Sequence, residues 1–270
     1  MKLWLLGSGS RGNAVVVESG DTRLMIDVGF GPRILKKRLA AAGIAPESIE
    51  ACVVTHEHSD HIRGAARAAH RWHWPLFCTE GTYANSRLAL LETPAAKIRA
   101  GVTVSFTDMD VTTFRTPHDA DDSIGVVITS RSTGARAAIA TDLGYASPTV
   151  RHMVQDVDML VIESNHDDDM LANGPYPVSL QRRISSRSGH LSNTQCASLV
   201  RDAVSTRLRK VILAHLSEEN NSPKVAFDTI RPVLQRTRFR GMLAWAAQDF
   251  VVGPFTASAG RAESQLSLGI

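Results

Sequence analysis

The sequence predicts an α/β (α+β) protein in which two sheets pack face to face and helices cover their outer sides. Two observations carry this. Short β-branched runs come in two series along the chain, and each series gives way to segments with apolar residues at helical spacing. A chain of 270 residues, 43% of them hydrophobic, can fill such a core without covalent staples.

The elements follow in order. Residues 2–6, 14–18 and 23–27 read as successive strands joined by glycine-rich turns. Residues 32–42 carry apolar side chains at helical spacing, with Pro32 at the start, where a missing N–H is tolerated. Residues 51–54 are a short apolar strand and 62–71 a helix. The second series comprises 111–116, 124–129 and 136–141, with two further apolar runs at 159–162 and 211–214. Residues 192–204 have helical periodicity with Ser192 or Asn193 as N-cap, and 223–234 form another helix. Residues 1–255 are read as one domain. Residues 256–270, rich in Ser, Ala and Gly, are read as a loose tail.

Composition excludes several classes. The three cysteines, Cys52, Cys78 and Cys196, form no C-x-x-C pair and no disulfide framework, so a reduced, cytoplasmic setting is expected. No stretch is apolar for long enough to span a bilayer, and the opening run is broken at Gly7, too early for a signal peptide. The net charge of +3 permits a nucleic-acid partner without demanding one.

The informative segment runs from Thr55 to His61, His56-x-His58-x-Asp60-His61, between an apolar strand and a helix. Chance would produce this pattern in roughly one such sequence in a thousand. Imidazole and carboxylate are the donors that borderline divalent cations prefer. In extended backbone His56 and His58 point the same way; Asp60 and His61 are re-aimed as the chain turns into the helix. His118, Asp142 and His215 each follow a predicted strand, where loops of such folds gather sites. Taken singly, each reads equally as a ligand or a hydrogen-bonded loop residue. Glu163 after the 159–162 strand and His190 before the 192–204 helix are types that can form an acid–base pair.

The order Asp27, His56-x-His58-x-Asp60-His61, His118, Asp142, His215 resembles the metallo-β-lactamase superfamily over nearly the whole chain. Gly7-Ser8-Gly9-Ser10-Arg11-Gly12-Asn13, Ala140 to Tyr145, Glu163 to Asp167 and Ala214 to Asn221 resemble its YycJ/WalJ-like branch of bacterial exonucleases. The resemblance implies a four-layer αββα sandwich with two divalent ions, zinc or manganese, with iron compatible on ligand type. It implies that His56, His58 and His118 hold the first ion and that Asp60, His61 and His215 hold the second, with Asp142 bridging. Asp27 would lie beneath and orient the motif. Asp60, His190 and Glu163 form the implied catalytic set, the last two as a proton-shuttling pair. The implied chemistry is attack on phosphorus by a hydroxide shared between cations about 3.5–4 Å apart, in a DNA exonuclease acting from 5′ ends.

Departures narrow the class. His61 and Asp142 stand where many β-lactamases carry other residues, so antibiotic hydrolysis is not expected. Only a short segment follows His215, which argues against a thioester hydrolase with a helical C-terminal region. A small cyclic or nucleotide phosphodiester is the alternative substrate, and a non-catalytic nucleic-acid-binding protein the reading from another class. Gly7-x-Gly9-x-x-Gly12 matches a dinucleotide fingerprint, but the β-branched run after it rules out the helix that motif needs. Ser10 and Asn13 are read there as phosphate contacts. His166 stands open between a substrate contact and a supporting role. His70, His73 and His152 are read as surface or structural, and Trp72 and Trp74 as packing aromatics rather than a base-stacking platform. Arg182, Arg183 and Arg187 are a solvated face or a phosphate-tracking rim.

Overall fold

A computed structural model describes residues 1–86, 88 and 91–258. The first sheet takes β1 (Lys2–Gly7), β2 (Ala14–Ser19), β3 (Thr22–Ile26), β4 (Ala51–Val53), β5 (Leu76–Thr79) and β6 (Ala96–Ile98). The second takes β7 (Thr103–Ser105), β8 (Met109–Arg115), β9 (Ile124–Ser130), β10 (Arg136–Ala140), β11 (Met159–Glu163), β12 (Lys210–Ala214) and β13 (Met242–Trp245). The last strand, β14 (Val252–Thr256), returns to the first sheet beside β1. Each sheet thus has 7 strands, in the orders β14-β1-β2-β3-β4-β5-β6 and β13-β12-β11-β10-β9-β8-β7.

Side chains alternate across each strand, and the alternation sorts the core into three layers. Leu3, Leu5, Val15, Val17 and Ile26 of the first sheet meet Val111, Val126, Ile128, Val161 and Ile212 of the second. Residues of opposite parity, such as Trp4, Val16 and Met25, pack under the helices Pro32–Ala41 and Ala65–Trp72. On the other side Val127, Leu160 and Leu213 pack under Asn193–Ala203 and Pro223–Gln235. The result is the four-layer sandwich that the sequence predicts. Ser192 is the N-cap of the first of these two helices: it bonds the Gln195 N–H while the Gln195 side chain returns to the Ser192 N–H. Trp72 and Trp74 are both buried in the first sheet's outer layer.

Two departures from the sequence reading bear on the site and on the chain end. The helix expected over 62–71 is two pieces, Ser59–Ile62 and Ala65–Trp72. Gly64 lies between them, and a Cβ there would stand 1.9 Å from the Phe30 carbonyl oxygen. That close approach stops the helix and sets the turn that carries Asp60 and His61. The expected tail also starts later, since Thr256 pairs with Lys2 and the Ala257 N–H bonds the Met1 carbonyl. Residues 259–270 lie outside the described residues. Among the described residues no helix is long and apolar enough to cross a membrane.

Candidate metal centre and acid–base pair

The parallel strands of both sheets end at the same edge of the sandwich, and the polar residues follow directly after them. Asp27 follows β3, Thr55 and His56 follow β4, Asp142 follows β10, Glu163 ends β11 and His215 follows β12. Asp27, Asp142 and His215 adopt left-handed backbone conformations, with φ of 62°, 59° and 54°. For residues other than glycine such conformations cost about 1–3 kcal/mol each and persist only where the surroundings enforce them. Here they turn a side chain at the strand end back over the edge.

Asp27 accounts for part of that enforcement. Its carboxylate accepts the Thr55 N–H at 2.8 Å, the Thr55 hydroxyl at 2.9 Å and His61 Nδ1–H at 2.7 Å. Because the Thr55 hydroxyl is a donor to Asp27, its oxygen accepts from His56 Nδ1, 3.0 Å away. Both rings therefore turn Nε2 toward the centre. His118 follows the same logic: its Nδ1–H donates to the Gly189 carbonyl at 3.0 Å, leaving Nε2 to face His58 Nδ1 at 3.1 Å. Gly29 lets the motif close on the glycine-rich turn. A Cβ there would lie 1.8 Å from the Asp60 carbonyl.

Among the described residues, four sets of ligand-type atoms each lie within 4.8 Å of one another, among them His56/His58/His118, His56/His61/Asp142 and Asp60/His61/His215. Asp142 stands between them: Oδ2 is 3.2 Å from His61 Nε2, and Oδ1 is 3.8 Å from His118 Nε2 and 3.7 Å from His215 Nε2. Asp60 Oδ2 lies 3.2 Å from His215 Nε2 and 3.4 Å from His61 Nε2.

Divalent cations fit this donor set. His56 Nε2 and Asp142 Oδ2 are buried and have no hydrogen-bond partner in the protein, a costly state that a cation would relieve. Burial, followed by the neighbouring His61, holds His56 well below the usual imidazole range, so it stays neutral with a lone pair free. Burial opposes charge on His61 and His215, yet Asp142 beside them raises both well above that range. The carboxylates thus call for positive charge where the second set converges.

The candidate acid–base pair, Glu163 and His190, stands beside the candidate ligands. Glu163 is fully buried and fully engaged: Oε2 accepts the N–H groups of Leu143 at 2.8 Å and Leu191 at 3.0 Å, while Oε1 accepts His190 Nδ1–H at 2.7 Å. Burial pushes the Glu163 carboxyl up, but the His190 charge and hydrogen bond outweigh it and bring it to about 2. In return Glu163 raises His190 against the burial that would lower it. His190 also stacks on His215, with ring centroids 5.2 Å apart.

An open cleft of about 230 Å³ is lined by His58, His190 and His215 together with Tyr176, Leu180 and Ile184. Ser10 is exposed and lines the cleft. Asn13 is placed differently from a phosphate contact. It is buried, its amide oxygen accepts the Gly9 N–H at 2.9 Å, and its Nδ2 faces Asp60 Oδ2 at 3.2 Å and His61 Nε2 at 3.0 Å. Its side chain thus braces the turn against Asp60 and His61. His166 is also buried, and its carbonyl accepts the Asn193 N–H that starts the following helix. Of the expected arginine rim, Arg183 bonds Asp119 at 2.7 Å and Arg187 covers the Tyr145 ring.

Sequence reasoning missed three supporting residues. Thr55 links Asp27 to His56, the Ser8 hydroxyl accepts the His215 N–H at 2.8 Å, and Asn165 Nδ2 donates to the His215 carbonyl at 2.9 Å. The polar pairs Ser8-Gly9 and Asn165-His166 were visible beside apolar strands, but only the fold brings them to His215.

Residues 22–216 match the Beta-lactamase superfamily domain. The chain belongs to the metallo-β-lactamase superfamily. Within the superfamily it is 30% identical over 238 residues to the exodeoxyribonuclease YycJ of Bacillus anthracis, covering 87% of this chain and 89% of the relative. It is 33% identical over 244 residues to the exodeoxyribonuclease WalJ of Streptococcus pneumoniae, covering 85% and 86%. The metallo-β-lactamase fold protein YhfI of Bacillus subtilis superposes with a TM-score of 0.69 over 93% of this chain and 99% of that one, at 16% identity. That last likeness is one of fold. The superfamily fold with its His/Asp clusters makes this a divalent-metal-binding hydrolase.

Proposed function

We propose that this protein is a cytoplasmic, two-metal DNA exonuclease, contained in one domain that extends through Ala257. The convergence of His56, His58, His118, Asp60, His61 and His215 around the buried Asp142, whose Oδ2 has no hydrogen-bond partner, carries the reading. The relatives named exodeoxyribonucleases support the substrate. The three cysteines, all buried and free, support a reduced compartment. Zinc and manganese both suit these donors.

His56, His58 and His118 would hold one ion, Asp60, His61 and His215 the other, and Asp142 both. Ions bound there supply Lewis acidity that lowers the pKa of a water and offsets charge on the phosphate. The protein's own groups do the rest. Asp27 and Thr55 fix the tautomers of His61 and His56. Glu163 holds His190 Nδ1–H, so Nε2 is the atom that gives a proton to the departing alkoxide, which leaves poorly without one. Ser10, which lines the cleft, would touch the substrate, whereas Asn13 would brace the glycine-rich turn against Asp60 and His61 and the buried His166 would play a supporting part.

A small phosphodiester is the second reading, and it would suit an enclosed pocket. The cleft is open and shares a wall with a second hollow, which favours a polymer. The test uses metal-depleted protein, resupplied with manganese or zinc, on end-labelled single- and double-stranded DNA. The expected result is metal-dependent release of nucleotides from an end. Failure to cleave any DNA with either metal overturns the proposal.

A further inference from the structure

Trp72 and Trp74 are buried against each other with ring centroids 4.9 Å apart, out of reach of a substrate. A different aromatic pair borders a second hollow beside the cleft. Trp245 ends β13 and Phe250 lies in the loop before β14. Their ring centroids are 6.0 Å apart and their planes meet at 79°, so the two rings form a corner. Trp245 is half-buried against the second sheet's outer layer, but Phe250 is 57% exposed. Exposing so much aromatic surface gains nothing for the fold.

The corner lines a hollow of about 360 Å³, within the ~300–1,000 Å³ typical of small-ligand sites. Leu216 and Ser217, the two residues after His215, line both this hollow and the catalytic cleft. Ser8, whose hydroxyl holds the His215 N–H, lines it as well. One wall is therefore common to the hollow and the metal centre.

We propose that this hollow is a nucleobase subsite, taking the base of a nucleotide next to the phosphodiester being cut, flat on Phe250 with its edge toward Trp245. The inference rests on the nuclease reading above. The lining chemistry suits a base better than a phosphate. Among the described residues no cationic side chain lines the hollow, and its two carboxylates, Glu218 and Asp249, are both paired to Arg11 at the mouth. Trp245, Phe250, Ala246 and Ala247 offer aromatic and small apolar contact. Stacking on such rings is tolerant of sequence, because every base has a flat face, and is worth about 1–3 kcal/mol per base.

The test measures binding of the protein as isolated to phosphorothioate oligo(dT) and to an abasic oligomer of the same length and linkage. Wild type is expected to prefer oligo(dT) about tenfold. Phe250→Ala should remove most of that preference, and Phe250→Tyr should keep it. Phe250 is exposed, so its replacement leaves the core intact. A wild type without preference, or a Phe250→Ala protein with the wild-type preference, overturns the subsite. Failure of the nuclease reading is seen separately, as absence of metal-dependent cleavage of unmodified DNA.

Discussion

The two sheets furnish the centre in opposite ways. The first sheet contributes one compact stretch, Thr55 to His61, after β4, braced by Asp27 from the neighbouring strand β3. The second contributes isolated residues, His118, Asp142, His190 and His215 from separate loops and Glu163 from the end of β11. What assembles the second wall is register: Ala140 pairs with Ile162, and Glu163 with Ala214, so the ends of three parallel strands are level. The first wall is built by chain neighbours and the second by strand alignment. A local motif can therefore specify half of such a site, while the other half exists only once the sheet has formed.

The largest effect is expected where the two walls meet. Asp142→Ala removes the carboxylate that faces His61, His118 and His215, and metal-dependent DNA cleavage should fall at least ~10³-fold in kcat/KM. Retention of wild-type turnover would break the picture of a shared centre.

Next is the second wall's own device. Glu163→Gln should reduce kcat about 10²-fold and alter the pH profile. Glu163 raises His190 above its ordinary value, so protonated His190 persists to higher pH in the wild type. Activity that depends on that proton is lost as pH rises through the raised pKa; in Glu163→Gln the loss should begin at lower pH. An unshifted alkaline limb would remove His190 from the proton-donor role.

The first wall should respond in metal affinity. Asp27→Asn weakens the acceptor for three hydrogen bonds and should lower metal affinity by about 10–100-fold, with activity restored by excess metal. Titration of activity against added manganese measures this; identical curves for the variant and wild type would refute the bracing role.

The smallest effect belongs to the rim. Arg183 is largely exposed and paired with Asp119, an arrangement worth little in stability. Arg183→Ala should raise KM for DNA several-fold and lower the slope of log affinity against log salt by about one. An unchanged slope would return Arg183 to a solvated helix face.

Legibility in the sequence follows the same division. The two series of β-branched runs showed the sandwich, because strands buried on both sides leave continuous apolar text. The edge strands β6 and β7 did not stand out, since their short segments mix polar and exposed residues, and the edge strand β13, though apolar, is only 4 residues long. The His56–His61 motif was legible outright. His118, Asp142 and His215 gained meaning from the family resemblance, and the left-handed turns that aim Asp142 and His215 have no glycine to signal them. The setting of Asn13 was not legible from its place after a glycine-rich turn. Its partners Asp60 and His61 lie nearly fifty residues away, beyond any local pattern.

One preparation, assayed for both bound metal and DNA cleavage, probes the meeting of the two walls most directly. Wild-type protein loaded with manganese or zinc and desalted should retain two divalent ions per chain and digest DNA, while Asp142→Ala should retain fewer and digest none. Fully active wild-type protein without transition metal, or an Asp142→Ala protein with undiminished metal and turnover, would contradict it.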